Sequence, residues 1–168
     1  MVRLITPAYA ELHCLSAFSF QRGASTADDL FQRAAALGYT ALAITDECSL
    51  AGIVRALDAS RKYKLPLIVG AEFQIHEGPK VVLLCADLPA YEALCRLITL
   101  GRRRAKKGIY LILASDFSDL PAGLLCLWCA QSPEEETRHL SWLKATFSDR
   151  LWLAASCHRE AGEHERLA

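Results

Sequence analysis

Short apolar or β-branched runs alternate along the chain with longer stretches whose apolar residues recur every three or four positions. The runs predict six strands, at Ala10–Cys14, Ala41–Thr45, Leu67–Ile75, Val81–Ala86, Leu124–Ala130 and Leu151–Ser156. A first helix is predicted from Ser25 as N-cap with Asp28 three residues on; Leu30, Ala34 and Leu37 follow at helical spacing and Gly38 supplies the stop. Ser49 predicts the opening of a second helix, with Leu50, Ile53, Val54 and Leu57 as its apolar stripe and Pro66 restarting a strand. A third helix is expected from Pro89 to about Lys106 and a fourth from Pro133 to about Phe147. Strand, helix and strand repeated in this way predict a parallel sheet with helical cover, open or closed into a barrel. In both architectures ligands gather where strands end, because loops there vary without disturbing the core.

At 168 residues and 52% hydrophobic, the chain has the apolar surface for one core, and no repeat or flexible linker between Ala8 and Arg159 suggests a boundary. Nineteen Lys and Arg balance nineteen Asp and Glu, which excludes a strong overall field for a polyanion or an anionic membrane. Any nucleic-acid contact must then be local. The longest uncharged stretch, Leu120 to Pro133, is well short of the ~20 apolar residues that span a bilayer. Glu11 interrupts the start before an apolar signal core could form, so a cytoplasmic protein is expected. The seven cysteines are odd in number and mostly lie in apolar runs, which points to reduced core thiols. Cys126 and Cys129 form a Cys-x-x-Cys, but in a strand positions three apart face opposite sides, which argues against a zinc or redox pair.

Residues of metal-ligand or acid/base type sit near four strand ends: His13, Asp46 with Glu47, Glu72 and His158. Gathered on one rim, they could hold divalent metals for phosphoester hydrolysis. The plainer reading is that each histidine is hydrogen-bonded or solvent-facing and that Asp46 caps the next helix. Ser16 and Ser19 lie close to His13 without a matching acid or oxyanion site for a hydrolase triad. Trp128, Trp142 and Trp152 occupy apolar settings and read as core residues. The run Arg102, Arg103, Arg104, Lys106 and Lys107 lies near the predicted end of the third helix, where cations complement the macrodipole; it could also contact DNA phosphates or dock against another domain.

The order of these residues is more specific than their types. His13-Cys14-Leu15-Ser16, Arg22-Gly23-Ala24, Thr45-Asp46-Glu47-Cys48-Ser49-Leu50-Ala51-Gly52 and Ile68-Val69-Gly70-Ala71-Glu72-Phe73 together resemble the PHP (polymerase and histidinol phosphatase) domain at the N-terminus of bacterial C-family DNA polymerases. The run from Tyr9 to Ser16 together with Thr45 to Gly52 is similar to the error-prone branch of that family. The resemblance extends through Val81–Ala86, Tyr91, Leu94 and Leu97-Ile98-Thr99 and fades after Gly108. It implies a distorted (β/α) barrel, truncated at its C-terminal part, as a single PHP domain over residues 1–168 that is a fragment of a much longer polymerase.

In active members of the family the barrel rim holds a cluster of divalent metals, Zn, Mn or Fe, and hydrolyses phosphoesters. Carried onto this chain, the ligand positions keep His13 and Glu72 and put Glu47 where an imidazole is usual. The remaining positions fall on Leu15, Arg22 and Lys80, and a closing Asp-x-His motif is not found before Ala168. Cations at ligand positions repel metal ions, so Arg22 and Lys80 are expected to pair with Glu47 and Glu72 instead. The resemblance therefore implies a degenerate metal site, no catalytic residue in this segment and a structural role. The parent would be an error-prone DNA polymerase acting in damage-induced mutagenesis, with Mg2+ in a separate palm domain. Its partners would be primer-template DNA, the rest of the polymerase chain, accessory mutagenesis proteins and the sliding clamp, with no membrane. The alternative is a metal-dependent phosphoesterase or exonuclease using His13, Glu47, Glu72 and His158. A binding domain with no polymerase attached is a third reading.

Overall fold

Local sequence signals account for most of the elements in the computed structural model, which describes residues 8–130 and 133–155. The strands are β1 (Ala10–Glu11), β2 (Ala41–Ile44), β3 (Leu67–Gln74), β4 (Lys80–Cys85), β5 (Leu124–Trp128) and β6 (Leu151–Leu153). The helices are α1 (Ala27–Ala36), α2 (Ile53–Tyr63), α3 (Leu88–Arg104) and α4 (Pro133–Phe147). The first helix begins one residue later than the Ser25 signal suggested: Thr26 is the N-cap, in a capping box with Asp29. Ser49 does not open α2. Its hydroxyl accepts from the Ala51 backbone within a turn, and the helix starts after Gly52. Asp87 caps α3 through the Ala90 amide, with Pro89 in the first turn where its missing N–H costs nothing.

The sheet order is β1-β2-β3-β4-β5-β6, but it is mixed and not all-parallel. β1, β2 and β3 run parallel, β4 is antiparallel to both β3 and β5, and β6 is parallel to β5. The segment between β3 and β4 is too short for a parallel crossover, which needs a dozen or more residues. It closes as a hairpin, with Glu77 at φ 53 and the Gly78 amide donating to the Ile75 carbonyl at 3.0 Å. The α3 excursion returns through residues 105–123, so β5 re-enters antiparallel to β4.

Alternation along the strands divides the core. Leu42 and Ile44 of β2 face α1 and α2, where Phe31, Ala34, Ala56 and Ala59 are buried. Small alanines form this helix contact; Val54 and Leu57, which the sequence pattern placed in the α2 stripe, are 68% and 41% exposed. Ala71, Phe73, Val81, Leu83, Cys126 and Trp128 face α3 and α4, packed on Leu94, Leu97, Leu143 and Phe147. The opposite face carries Ala43, Val82, Leu84 and Leu127, with Ile68 and Cys129 against them. Cys126 and Cys129 accordingly belong to different clusters. The sheet curls into a half-barrel, and residues 9–13 around β1 and 152–155 around β6 line one cleft of about 1030 Å³. Trp152 lines that cleft and is half exposed, whereas Trp128 is buried and Trp142 packs on the core. Among the described residues, no helix is long and apolar enough to cross a membrane.

Candidate functional site

β1 ends at Glu11, earlier than its apolar run suggested, because the His13 amide donates to the Glu11 carboxylate at 3.0 Å instead of to a neighbouring strand. From there the chain passes the end of β2. The Cys14 carbonyl accepts from the Thr45 amide at 2.8 Å and from the Thr45 hydroxyl at 3.1 Å. Residues 16–25 then form a tight loop over Asp46. The Asp46 carboxylate, 1% exposed, accepts from the Ser16 amide at 2.8 Å, the Ser16 hydroxyl at 2.7 Å and the Ser19 hydroxyl at 2.6 Å. Asp46 is therefore a loop anchor and not the cap of α2. Gly23 closes the loop against its own start, since a Cβ there would lie 2.0 Å from the Ser16 carbonyl oxygen. Gly23→Ala should consequently force the loop open and lower the Tm; an unchanged melt would mean that the loop bears no load.

This loop delivers Arg22 to two carboxylates. Arg22 Nη1 donates to Glu47 Oε2 at 2.8 Å, and the guanidinium also grips Glu72, through Nη1 to Oε1 and through Nη2 to Oε2 at 3.2 Å. Glu72 comes from the middle of β3, on the face opposite Ala71 and Phe73, and its side chain is 1% exposed. An isolated parallel bridge from Glu47 to Glu72 sets their spacing, and the Cys48 amide donates to the Glu72 carbonyl at 2.8 Å. His13 Nε2 lies 2.8 Å from Glu72 Oε2, and Cys129 Sγ lies 3.9 Å from His13 Nδ1 on the other side of the ring. Tyr110 donates its phenol to Glu47 Oε1 at 3.0 Å. Arg102, from the last turn of α3, donates to the Cys48 and Glu47 carbonyls at 3.1 and 3.0 Å, which fixes the backbone that carries Glu47.

The charges balance locally. Burial by itself would raise the Glu72 carboxyl, but hydrogen bonds from His13 and Arg22 outweigh it and bring the group down to about 2. Contacts with Cys129 and then Glu72 push the His13 imidazolium up to about 9, against the opposing effect of burial. A depressed carboxyl contributes stability above its unfolded-chain value of about 4.3, and that contribution is lost as pH falls toward 2. A raised imidazole contributes below its unfolded-chain value of about 6.5, and that contribution is lost as pH rises through 9. One His13–Glu72 contact underlies part of both shifts, so they do not add. The Tm should be highest between about pH 4.5 and 6.5 and decline toward pH 9. His13→Gln should flatten the alkaline decline; a decline unchanged by that substitution would contradict the assignment.

Of the positions singled out in the sequence, His13, Arg22, Glu47 and Glu72 converge. Lys80 does not join them: it opens β4 and makes none of the ion pairs among the described residues, and its charge reaches Glu72 only at longer range. His158 lies outside the described residues. The basic run splits by role. Arg102 faces inward and Arg104 pairs with Asp116 at 2.6 and 3.0 Å, while Arg103, Lys106 and Lys107 are exposed. The sequence reading missed Cys129 and Tyr110 as neighbours of the site. Tyr110 carries no local signal, since it lies outside any regular element, and Ser16 and Ser19, weighed beside His13 for a triad, instead hold Asp46.

Among the described residues no group of three or more His, Cys, Asp or Glu is placed to hold a metal ion. The donor chemistry agrees with this. A guanidinium touches both carboxylates that would face a cation, and it carries five N–H donors and no acceptor.

A family model for the PHP domain matches residues 11–155. Three relatives named error-prone DNA polymerase are similar over nearly the whole chain. That of Pseudomonas syringae pv. tomato is 57% identical over 95% of this chain and 16% of its own length. That of Pseudomonas aeruginosa is 57% identical over 95% and 15%, and that of Xanthomonas campestris 50% over 96% and 15%. The chain thus spans about one sixth of the curated relatives it matches. A solved Bifidobacterium adolescentis structure, described as that of a metal-dependent phosphoesterase, superposes with a TM-score of 0.62 at 20% identity, covering 96% of this chain and 82% of that one. That likeness concerns the half-barrel architecture alone. With 145 of its residues under the family model, the chain belongs to the PHP domain family.

Proposed function

We propose that this chain is the N-terminal PHP domain of an error-prone C-family DNA polymerase and that it serves the parent as a structural scaffold, its phosphoester chemistry lost. The observation that supports a scaffold is Arg22 seated on both Glu47 and Glu72, where a rim metal would need free carboxylates. Similarity at 50 to 57% identity to chains named error-prone DNA polymerase supports the parent. In this reading the parent is a cytoplasmic enzyme that copies damaged templates, with Mg2+ in a palm domain outside this chain. Primer-template DNA, accessory mutagenesis proteins and the sliding clamp are its partners. The domain stabilises the polymerase body through packing, and ion pairs replace Zn, Mn or Fe as the link between the rim segments.

The test uses the full-length protein that contains this chain. Elemental analysis after extensive dialysis is expected to find no metal that depends on His13 and Glu72, and a 3′-labelled oligonucleotide should stay intact with Mn2+ or Zn2+. Stoichiometric metal lost in a Glu72→Gln variant, together with metal-dependent phosphodiester hydrolysis, would instead establish the phosphoesterase reading with His13, Glu47 and Glu72 as ligands.

A further inference from the structure

Cys126 and Cys129 stand three positions apart on β5 and its extension, so they face opposite sides of the sheet and meet different chemistry. Cys126 is buried in the core beneath α3 and α4, and burial pushes its thiol far up. Cys129 follows the end of β5 and is partly exposed. Register sets the side it faces: Val82 pairs with Glu72 on one strand and with Leu127 on the other, and Cys129 stands two residues beyond Leu127. The Cys129 amide donates to the Lys80 carbonyl at 3.0 Å, which carries the register one pair further and sets a lysine opposite the cysteine. Glu72 and Cys129 therefore project to the same side, and the segment after β1 brings His13 between them.

The result is a relay of three side chains. His13 Nε2 lies 2.8 Å from Glu72 Oε2, and Cys129 Sγ lies 3.9 Å from His13 Nδ1. With Glu72 accepting from Nε2–H, the ring is fixed with Nδ1 turned toward the sulfur. Thiol, imidazole and carboxylate in this order form the arrangement in which a cysteine is made nucleophilic by a base that a third group orients. Arg22 holds Glu72 in turn, so the orienting carboxylate is itself fixed. Among the described residues no other cysteine has an imidazole beside it. Burial pushes Cys14 and Cys48 up to about 11 and Cys85 up to about 12, and Cys95 meets the Tyr91 phenol. Cys157 lies outside the described residues.

We infer that Cys129 is a redox-sensitive thiol, which hydrogen peroxide oxidises to the sulfenic acid with His13 carrying the proton. Peroxide is small enough to reach a partly covered sulfur, and its reaction needs no oxyanion site. His13 Nδ1 takes the thiol proton and the sulfur attacks one peroxide oxygen. The S–O bond forms as the O–O bond breaks, so that sulfur loses two electrons and the peroxide gains them. The departing hydroxide receives the proton from Nδ1 and leaves as water. Two equivalents of a small thiol restore Cys129, ending as their disulfide with release of water. The inference rests on the scaffold reading, in which Arg22 occupies the carboxylates and no metal takes the His13 imidazole.

The experiment treats the full-length protein with hydrogen peroxide in the presence of dimedone, which traps sulfenic acids, and reads each cysteine by peptide mass spectrometry. Fragmentation on either side of Trp128 separates Cys126 from Cys129. The Cys129 adduct is expected to form about tenfold faster than those of Cys14, Cys85 and Cys95, since an unassisted thiol is only a few per cent thiolate at pH 7. His13→Gln should bring Cys129 down to the level of those three, while Cys126 stays unmodified and reports that the domain is folded. A Cys129 no faster than the other three would overturn the inference. So would a His13→Gln variant with Cys126 protected and Cys129 unslowed, because the sulfur would then react through exposure alone. If that variant exposes Cys126, the comparison within the unsubstituted protein decides by itself. The same labelling after dialysis against a chelator separates this inference from the reading it rests on. An adduct that appears only after chelation and still needs His13 keeps the thiol assignment and loses the scaffold reading; a slow Cys129 with and without chelator does the reverse.

Discussion

Replacing Asp46 with alanine is expected to unfold the 16–25 loop and to cost about 4 kcal/mol, since hydrogen bonds to a charged group are worth about 1.5–3 kcal/mol each and do not add fully. Three donors lose their acceptor at once: the Ser16 amide and the hydroxyls of Ser16 and Ser19, which are 1% and 3% exposed as residues. Neither hydroxyl can turn to water without the loop opening. The damage also spreads, because the Ser19 hydroxyl accepts from the Glu47 amide at 3.1 Å and so aligns the carboxylate that Arg22 grips. Asp46→Asn should be milder, since it keeps an acceptor oxygen but donates where a second acceptor stood. Urea denaturation of the full-length protein, followed through the transition that includes this domain, measures both. An alanine variant within 1 kcal/mol of the parent on that scale would show that the loop is not held from Asp46.

Arg22→Met should cost about 3 kcal/mol, because it leaves the Glu72 carboxylate buried with His13 as its remaining ionic partner. Arg22 itself is about one third exposed, which weakens its side of the pair; the cost comes from Glu72, whose side chain is 1% exposed. At roughly 2–4 °C per kcal/mol for a domain of this size, the Tm falls by about 10 °C. Adding Glu72→Gln to the Met variant should recover part of the loss, since the uncompensated charge disappears with it. A double variant no more stable than Arg22→Met would show that the charge of Glu72 is not what Arg22 compensates. These two substitutions separate the roles of the loop: Asp46 holds its frame and Arg22 closes it over the strand ends.

Sequence patterns located the six strands and four α-helices among the described residues to within a few positions, because apolar repeats record which faces are buried, but gave no sign of the short 3-10 turns at Ala114–Phe117 and Ser148–Arg150. They misjudged α2, where Val54 and Leu57 are exposed and the contact with α1 is made by Ala56 and Ala59. Small residues carry little hydrophobic signal, and helices that approach closely need them. The pattern also suggested a parallel sheet throughout, although the short link between β3 and β4 already excludes a crossover there. At the site, Arg22, Glu47 and Glu72 stood out by their order along the chain, whereas Tyr110 and Cys129 did not.

By itself the sequence determined the residue types at the strand ends: two carboxylates, a histidine and an arginine on segments that an alternating fold carries to a common rim. Which of the cations would meet those carboxylates was decided by tertiary structure. Arg22 reaches Glu47 and Glu72 because Asp46 folds the 16–25 loop back over the end of β2, while Lys80, on a regular strand, has no such loop to carry it inward. The physical reason is that an ion pair depends on a few ångströms of separation, and separation between residues 22 and 72 is set by the loop and sheet that lie between them, not by either residue's identity.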